Sequence, residues 1–453
     1  MDGNLAITNI SELATPTGFS ARRGAEMRAL HVVKDAAVIV ENGLIAYAGP
    51  GAGPECGSAL ERARCRNAAF LDAKGRACVP GFVDSHTHFV FTGHREDEFF
   101  WRAEGLPYME IHKRGGGIRR TMEATRAAPI EELLRSGRSR LDTMLSLGIT
   151  TVEGKSGYGL DLDTELKQLE TMKRLNLDHP IHIISTFMGA HSIPPEFDCR
   201  PSAYIDYVMA EVLPRVADRK LASFVDIFCE KGVFEIEDSR RFLMSAKKRG
   251  FGLKIHADEI ERIGGAGLAA ETGATSADHL LKAATKDLEK MAKAGVMATC
   301  LPLTAFSLME PYADARAMID RGLAVALASD FNPGSCYSQS LPMLFAIAVL
   351  YMKLSFAETL TAMTLNGAAS LGLARETGSV EPGKAGDIVL LDAPSASYLA
   401  YNVGMNLVSM VVKDGDLVYQ TPAETLPLVD TYNSRAMITP TKATSRALEG
   451  FSP

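Results

Sequence analysis

Long apolar runs are missing from this sequence. The longest, Leu344 to Met352, is far too short to cross a bilayer, which takes roughly 20 residues. Cysteine is sparse: there are seven, an odd number, and no C-x-x-C. That pattern suggests neither a cysteine-type zinc knot nor a disulfide framework. A reducing, cytoplasmic setting is therefore expected. No basic segment leads into an apolar one behind Asp2, so no secretory leader is expected. Excess positive charge is lacking too. The net charge of −7 argues against nucleic acid as a partner, and an anionic substrate would need local cations to hold it. Also absent is a G-x-G-x-x-G behind a strand-like run, which removes the main support for a doubly wound sheet.

What is present fits 453 residues arranged as one large domain and a smaller one. Residues 1–79 hold short strand-like pieces, such as Ala36–Val40 and Leu44–Ala48, with Gly and Asn turns and a polar, Arg-rich stretch. From Pro80 to Thr377, short apolar runs alternate with longer amphipathic segments. Eight runs qualify: Phe82–His86, Thr150–Lys155, Ile181–Gly189, Phe224–Cys229, Gly252–Ala257, Thr275–His279, Met297–Leu301 and Leu323–Ser329. Segments such as Ile130–Leu147 and Asp238–Arg249 between them are long enough for helices. Eight strand-then-helix units predict an α/β fold, a closed (β/α)8 TIM-like barrel. Residues 378–453 return to β character at Ile388–Leu391, Val411–Val412 and Leu417–Tyr419, and are expected to join residues 1–79 in a small β-sandwich. The tail from Asn433 is expected to be mobile.

His86-Thr-His88 is the strongest local signal. Residues i and i+2 on a strand point the same way, so both imidazoles can reach one metal ion. His256, His279 and Asp330 end later runs, and His191 follows the third. Barrel active sites are built at that end of the strands. His86, His88, His256 and Asp330 make a three-nitrogen, one-oxygen set with room for water, as a catalytic site requires. Zinc or iron suits these donors. A metal so held lowers the pKa of water. Asp330 can take the water proton and pass it to a leaving nitrogen. His279 either steadies the oxyanion or packs behind the ligands. Glu259 is a general acid, a partner for a ring N–H, or a solvated loop carboxylate. Arg95, Tyr108 and Tyr158, in the first two loops, suggest a clamp for an anion. Gly115-Gly-Gly117 reads as a turn near the site, not a phosphate loop.

Longer words of the sequence carry a resemblance. PGFVDSHTHFVF, YMEIHKRGGGI, KSGYGLDLDTELK, STFMGAHSIPPE, DIFCEKGVF, KIHADEIERIGGAGLAAETGATSADHL, TAFSL, ASDFNPGS and GSVEPGKAGDIVLLD resemble the imidazolonepropionase family of the amidohydrolase superfamily. The similarity runs from Cys78 to Asp392. It implies one zinc or iron ion on His86, His88, His256 and Asp330. It implies substrate contacts from Arg95, Tyr108, Tyr158, His191, Glu259 and Asn332, with Gly334 lining the pocket and His279 near the attacked carbon. The implied reaction opens 4-imidazolone-5-propanoate, an anion, to N-formimino-L-glutamate, in cytoplasmic homodimers. Gly154, His94 and Cys336 depart from the family's words. Two other readings remain: a sibling deaminase acting on another small nitrogen compound, for which the Arg95 set would be needless, and a barrel that binds without catalysis.

Overall fold

The computed structural model describes residues 3–106, 110 and 116–422. Tyr108, Gly115 and the tail beyond 422 lie outside them.

Among the described residues sixteen strands form two sheets. The first is mixed and built from both ends of the chain: β1 (Leu5–Pro16), β2 (Leu30–Glu41), β3 (Leu44–Pro50), β4 (Ala69–Asp72), β5 (Ala77–Pro80), β14 (Ile388–Leu391), β15 (Val408–Lys413) and β16 (Asp416–Gln420). The twelve-residue β1 is its spine. Its first half pairs with β4 and its second half with β5, both parallel, while β2 runs antiparallel along its length. β14 then pairs with β5, which ties the two chain ends together. One face closes over Leu5, Ile7, Ile10, Val38, Val40, Ile388 and Leu390, an apolar core of its own. The other face of β1 and β2 packs Ala6, Ala37 and Ile39 against Cys56, Ala59 and Ala63 of a helix, Pro54–Cys65. That helix overlaps the Arg-rich stretch, where no helix was expected.

The second sheet is the barrel. Its strands are β6 (Phe82–Asp84), β7 (Ile149–Lys155), β8 (His182–Ala190), β9 (Phe224–Cys229), β10 (Gly252–Ala257), β11 (Ser276–His279), β12 (Met297–Cys300) and β13 (Val325–Leu327), parallel and in sequential order. The eight predicted runs fall on these eight strands. The first and last were drawn too long: the chain leaves regular pairing at Asp84 and at Leu327. Beyond those points the ring closes through irregular contacts. Ser329 donates from its amide and its hydroxyl to Asp84, at 2.9 and 2.6 Å. The Asp330 amide donates to the His86 carbonyl at 3.0 Å, and the His88 amide to the Phe331 carbonyl at 2.9 Å.

Helices cover the outside. Leu162–Asp178 starts on Asp161, whose carboxylate accepts the Thr164 amide at 2.8 Å, an N-cap that satisfies an orphan donor. Ile130–Ser146 and Ile236–Lys248 carry buried apolar stripes on one face, as an amphipathic helix on a sheet must. The apolar run at Leu344 lies in a helix, Leu341–Leu350. Among the described residues no helix is long and apolar enough to cross a membrane, and all seven cysteines are free.

Candidate active site

The carboxyl ends of the barrel strands carry six ring side chains in one cluster. His86 and His88 have ring centres 5.5 Å apart, and His256 sits 4.6 Å from His86. His279 is 5.0 Å from His256. His191 stacks on His88 at 4.9 Å, and Tyr158 stands 5.4 Å from His191. Asp330 Oδ1 lies 3.5 Å from His86 Nε2 and 3.8 Å from His88 Nε2. Two overlapping triplets result, each with donor atoms within 4.8 Å: His86, His88 and Asp330, and His86, His256 and His279. His86 is the hinge of both. The four predicted ligands thus gather about His86, and His279 stands closer to the donors than expected.

Burial drives the pKa of His86, His88 and His256 well below the usual value, and the Lys155 charge pushes the same way. Neutral imidazoles keep a lone pair for a metal. The His86 Nε2 atom is buried without a hydrogen-bond partner. An orphaned buried nitrogen facing a carboxylate fits a cation between them. Burial also pushes Asp330 up to about 7, while Thr304 donates to its Oδ2 at 2.7 Å and opposes the rise. Asp330 and His279 have φ of 50° and 73°, left-handed conformations that L-residues adopt reluctantly. Strain of that kind collects where function fixes a side chain.

Beneath the imidazoles lies a layer of charge that sequence reasoning left without a role. Glu153, Asp226, Asp278, Lys155 and Lys254 are all fully buried. Lys155 Nζ is 2.7 Å from Asp226 and 3.1 Å from Glu153, and Lys254 Nζ is 2.7 Å from Glu153. Asp278 holds His86 Nδ1 at 2.7 Å. Asp226 stands 3.0 Å from His256 Nδ1, close but not aligned as a hydrogen bond. Both carboxylates approach the Nδ1 side and leave Nε2 for the other side, as metal-ligating histidines require. Burial alone would raise the Asp278 carboxyl; the Lys254 and Lys155 charges outweigh it and pull it down. The clue in the sequence was charge at alternate positions inside strand runs, Glu153 with Lys155 and Lys254 with His256.

The remaining candidates surround this centre. His191 Nδ1 lies 3.1 Å from the Gly157 carbonyl, which can only accept, so the proton sits on Nδ1. Burial lowers its pKa to about 4, and that of His279 likewise. Glu259 Oε1 is 3.4 Å from His279 Nδ1, and burial pushes Glu259 up to about 8. Gly157 has a φ of 108°, and a side chain there would press on His191. Arg95 is engaged side-on by Glu98, at 2.9 and 2.8 Å. Asn332 holds its own turn. Its Oδ1 accepts the Gly334 and Ser335 amides at 2.8 Å each, and its Nδ2 donates to the Asp330 carbonyl at 2.7 Å. The departures are also placed. A Cβ at Gly154 would meet Phe89 and Met172 on the helix side of β7, away from the imidazoles. The buried Cys336 thiol donates to the Ser329 carbonyl, while the exposed His94 packs its ring 5.4 Å from Tyr337.

Residues 77–418 match the model of the amidohydrolase family. An imidazolonepropionase of Clostridium tetani is 50% identical over 92% of this chain and 99% of its own. One from Parabacteroides distasonis is 52% identical, over 92% and 99%.

The chain belongs to the imidazolonepropionase family of amidohydrolases.

It is accordingly a hydrolase of carbon–nitrogen bonds in cyclic amides, and the family together with the His/Asp cluster points to a divalent metal. Solved structures agree on the fold. A zinc-bound adenosine deaminase from Xanthomonas campestris superposes with a TM-score of 0.65 at 20% identity, over 91% of this chain and 92% of that one. A 5-methylcytosine deaminase from Klebsiella pneumoniae gives 0.65 at 16%, over 93% and 99%. At such identities the likeness concerns the barrel and its companion sheet alone.

Proposed function

We propose that this imidazolonepropionase-family chain hydrolyses 4-imidazolone-5-propanoate to N-formimino-L-glutamate, a step of histidine breakdown. The observation that carries this reading is identity of about half over nearly the whole length of curated imidazolonepropionases, with every predicted ligand gathered about His86. The setting proposed is a cytoplasmic homodimer.

His86, His88, His256 and Asp330 would hold a single zinc or iron ion, for which imidazole and carboxylate are suited donors. When bound, the ion activates water and polarises the attacked carbonyl. The chain's own groups do the rest. Asp330 takes a proton from the attacking water and returns it to the ring nitrogen as the C–N bond breaks. Thr304 donates to Asp330 Oδ2 and fixes the orientation of the carboxylate. His279, neutral, lies against the carbonyl oxygen and steadies developing charge. Glu259, whose carboxyl pKa is pushed up by burial, stands beside His279 and would supply a proton there. His191 carries its proton on Nδ1, so Nε2 accepts from the substrate's ring N–H. The buried Tyr158 hydroxyl stays protonated, because burial raises its pKa, and donates a hydrogen bond. Arg95 and Tyr108 take the propionate, and Gly334 leaves room for it.

Elemental analysis of the purified protein, run beside an assay of imidazolone consumption, tests the reading. The expected result is a single zinc or iron per chain and rapid loss of substrate, with Arg95→Ala sharply impaired. Metal-loaded protein that leaves the imidazolone intact would overturn the proposal. Full activity in Arg95→Ala would overturn the clamp alone.

A further inference from the structure

At the mouth of the site lies a cavity of about 490 Å³, lined by Arg95, Phe99, Arg102, Gly334 and Tyr337 among others. Two arginines of its lining, Arg95 and Arg102, form a row with the buried Glu98 behind them. Arg95 gives Nε–H and one Nη2–H to the two carboxylate oxygens of Glu98, at 2.9 and 2.8 Å. This uses the side-on edge of the guanidinium. Three N–H groups remain, on the end-on edge formed by Nη1 and Nη2, and that edge can still fork onto a carboxylate. Nη1 lies against the Asn332–Ser335 turn, since a side chain at Gly334 would collide with it. Arg102 Nη2 donates to the Gly334 carbonyl at 2.8 Å, which fixes the same turn.

Glu98 is the buried member of this row. Its Oε1 also accepts the Gly117 amide at 2.8 Å, where the helix Ile118–Ala127 begins. Burial alone would raise the Glu98 carboxyl. The hydrogen bond and charge of Arg95, the Gly117 amide and Arg102 outweigh it and hold the carboxyl below its ordinary range. Arg95, Glu98 and Arg102 therefore carry one net positive charge. Glu98 differs from its neighbours in the first turn of the helix Glu96–Ala103. Glu96 and Asp97 are exposed and already complement the helix dipole, whereas Glu98 is turned inward and buried.

We propose that Glu98 is the positioning residue of the anion clamp: it holds Arg95 side-on so that the end-on edge meets the substrate's carboxylate. This rests on the imidazolone reading above. Glu98 touches no substrate atom; it acts through Arg95. A long arginine held at one edge keeps its other edge aimed, and misplacement by about 1 Å is enough to cost on the order of a hundredfold in turnover efficiency.

The test compares two substrates, the imidazolone propionate and its carboxamide analogue, in the metal-loaded enzyme. The readout is the ratio of their kcat/KM values. In Glu98→Gln that ratio is expected to fall by about tenfold to a hundredfold. The loss should lie in KM for the carboxylate, with kcat and metal content near those of the unaltered enzyme. Glu98→Asp, which keeps the charge, should recover part of the ratio and serves as the readout if the glutamine variant folds poorly. An unchanged ratio, or an equal loss on both substrates, would make Glu98 a structural residue and overturn the proposal. No turnover of either substrate by the unaltered enzyme would instead overturn the reading beneath it.

Discussion

The two cores of this molecule are built on opposite principles. The small sheet buries Leu5, Ile7, Val38, Val40, Ile388 and Leu390 with no charge among them. The catalytic end of the barrel buries the carboxylates of Glu153, Asp226, Asp278 and Asp330, the ammonium groups of Lys155 and Lys254, and a cluster of imidazoles. Apolar burial stabilises by area and tolerates imprecision. A buried charge costs several kcal/mol, by order of magnitude, unless each partner is met in good geometry. The barrel's interior therefore adds little net stability but fixes direction: Asp278 fixes the His86 ring and Asp226 flanks that of His256. The small sheet's core is held by apolar area, and the charged layer of the barrel aims donor atoms.

Substitutions can break that contrast, and their expected effects on catalysis fall in order. Asp330→Asn keeps the size of the side chain and removes the proton acceptor. Turnover should drop by roughly a thousandfold, within the range for loss of a general base, while the circular dichroism spectrum stays unchanged. Near-normal activity in that variant would remove Asp330 from the mechanism. Asp278→Asn should weaken metal affinity by about 10–100-fold, read by competition with a chelator. Unchanged affinity would detach the buried charge layer from the metal centre. Ile7→Ala, in the small sheet, should lose about 2–5 kcal/mol in denaturant unfolding. Its metal affinity and kcat/KM per folded molecule should match those of the parent. A shift in either would show that the two cores are coupled.

The sequence disclosed the clustered histidines because their signal is local and periodic. His86 and His88 share a strand face, and His256, His279 and Asp330 end apolar runs. Glu98 and Asp278 were opaque for the opposite reason. Glu98 reads as one more acid in an acidic first turn, and the partner of Asp278 stands 192 positions away. The helix Pro54–Cys65 was missed because its buried stripe is only Cys56, Ala59 and Ala63, side chains too small to register against the arginines around them. The length of β1 was hidden by a bulge between Ile7 and Ile10, where Asn9 takes a φ of 55° and the alternation slips. Asn332 shows the converse: its type suits a ligand contact, but the structure uses all of its amide to shape a turn.

The barrel's seam has a consequence for assembly. Asp84 and Ser329, the pair that closes the ring, are 245 residues apart in the chain. The first imidazoles and Asp330 flank that same joint. Contacts between such distant segments form late, because the entropy of closing a long loop must be met first. The nascent chain thus brings Asp330 against His86 and His88 only when its final barrel strand docks, and a cation held among these three would act as a clasp on the last join.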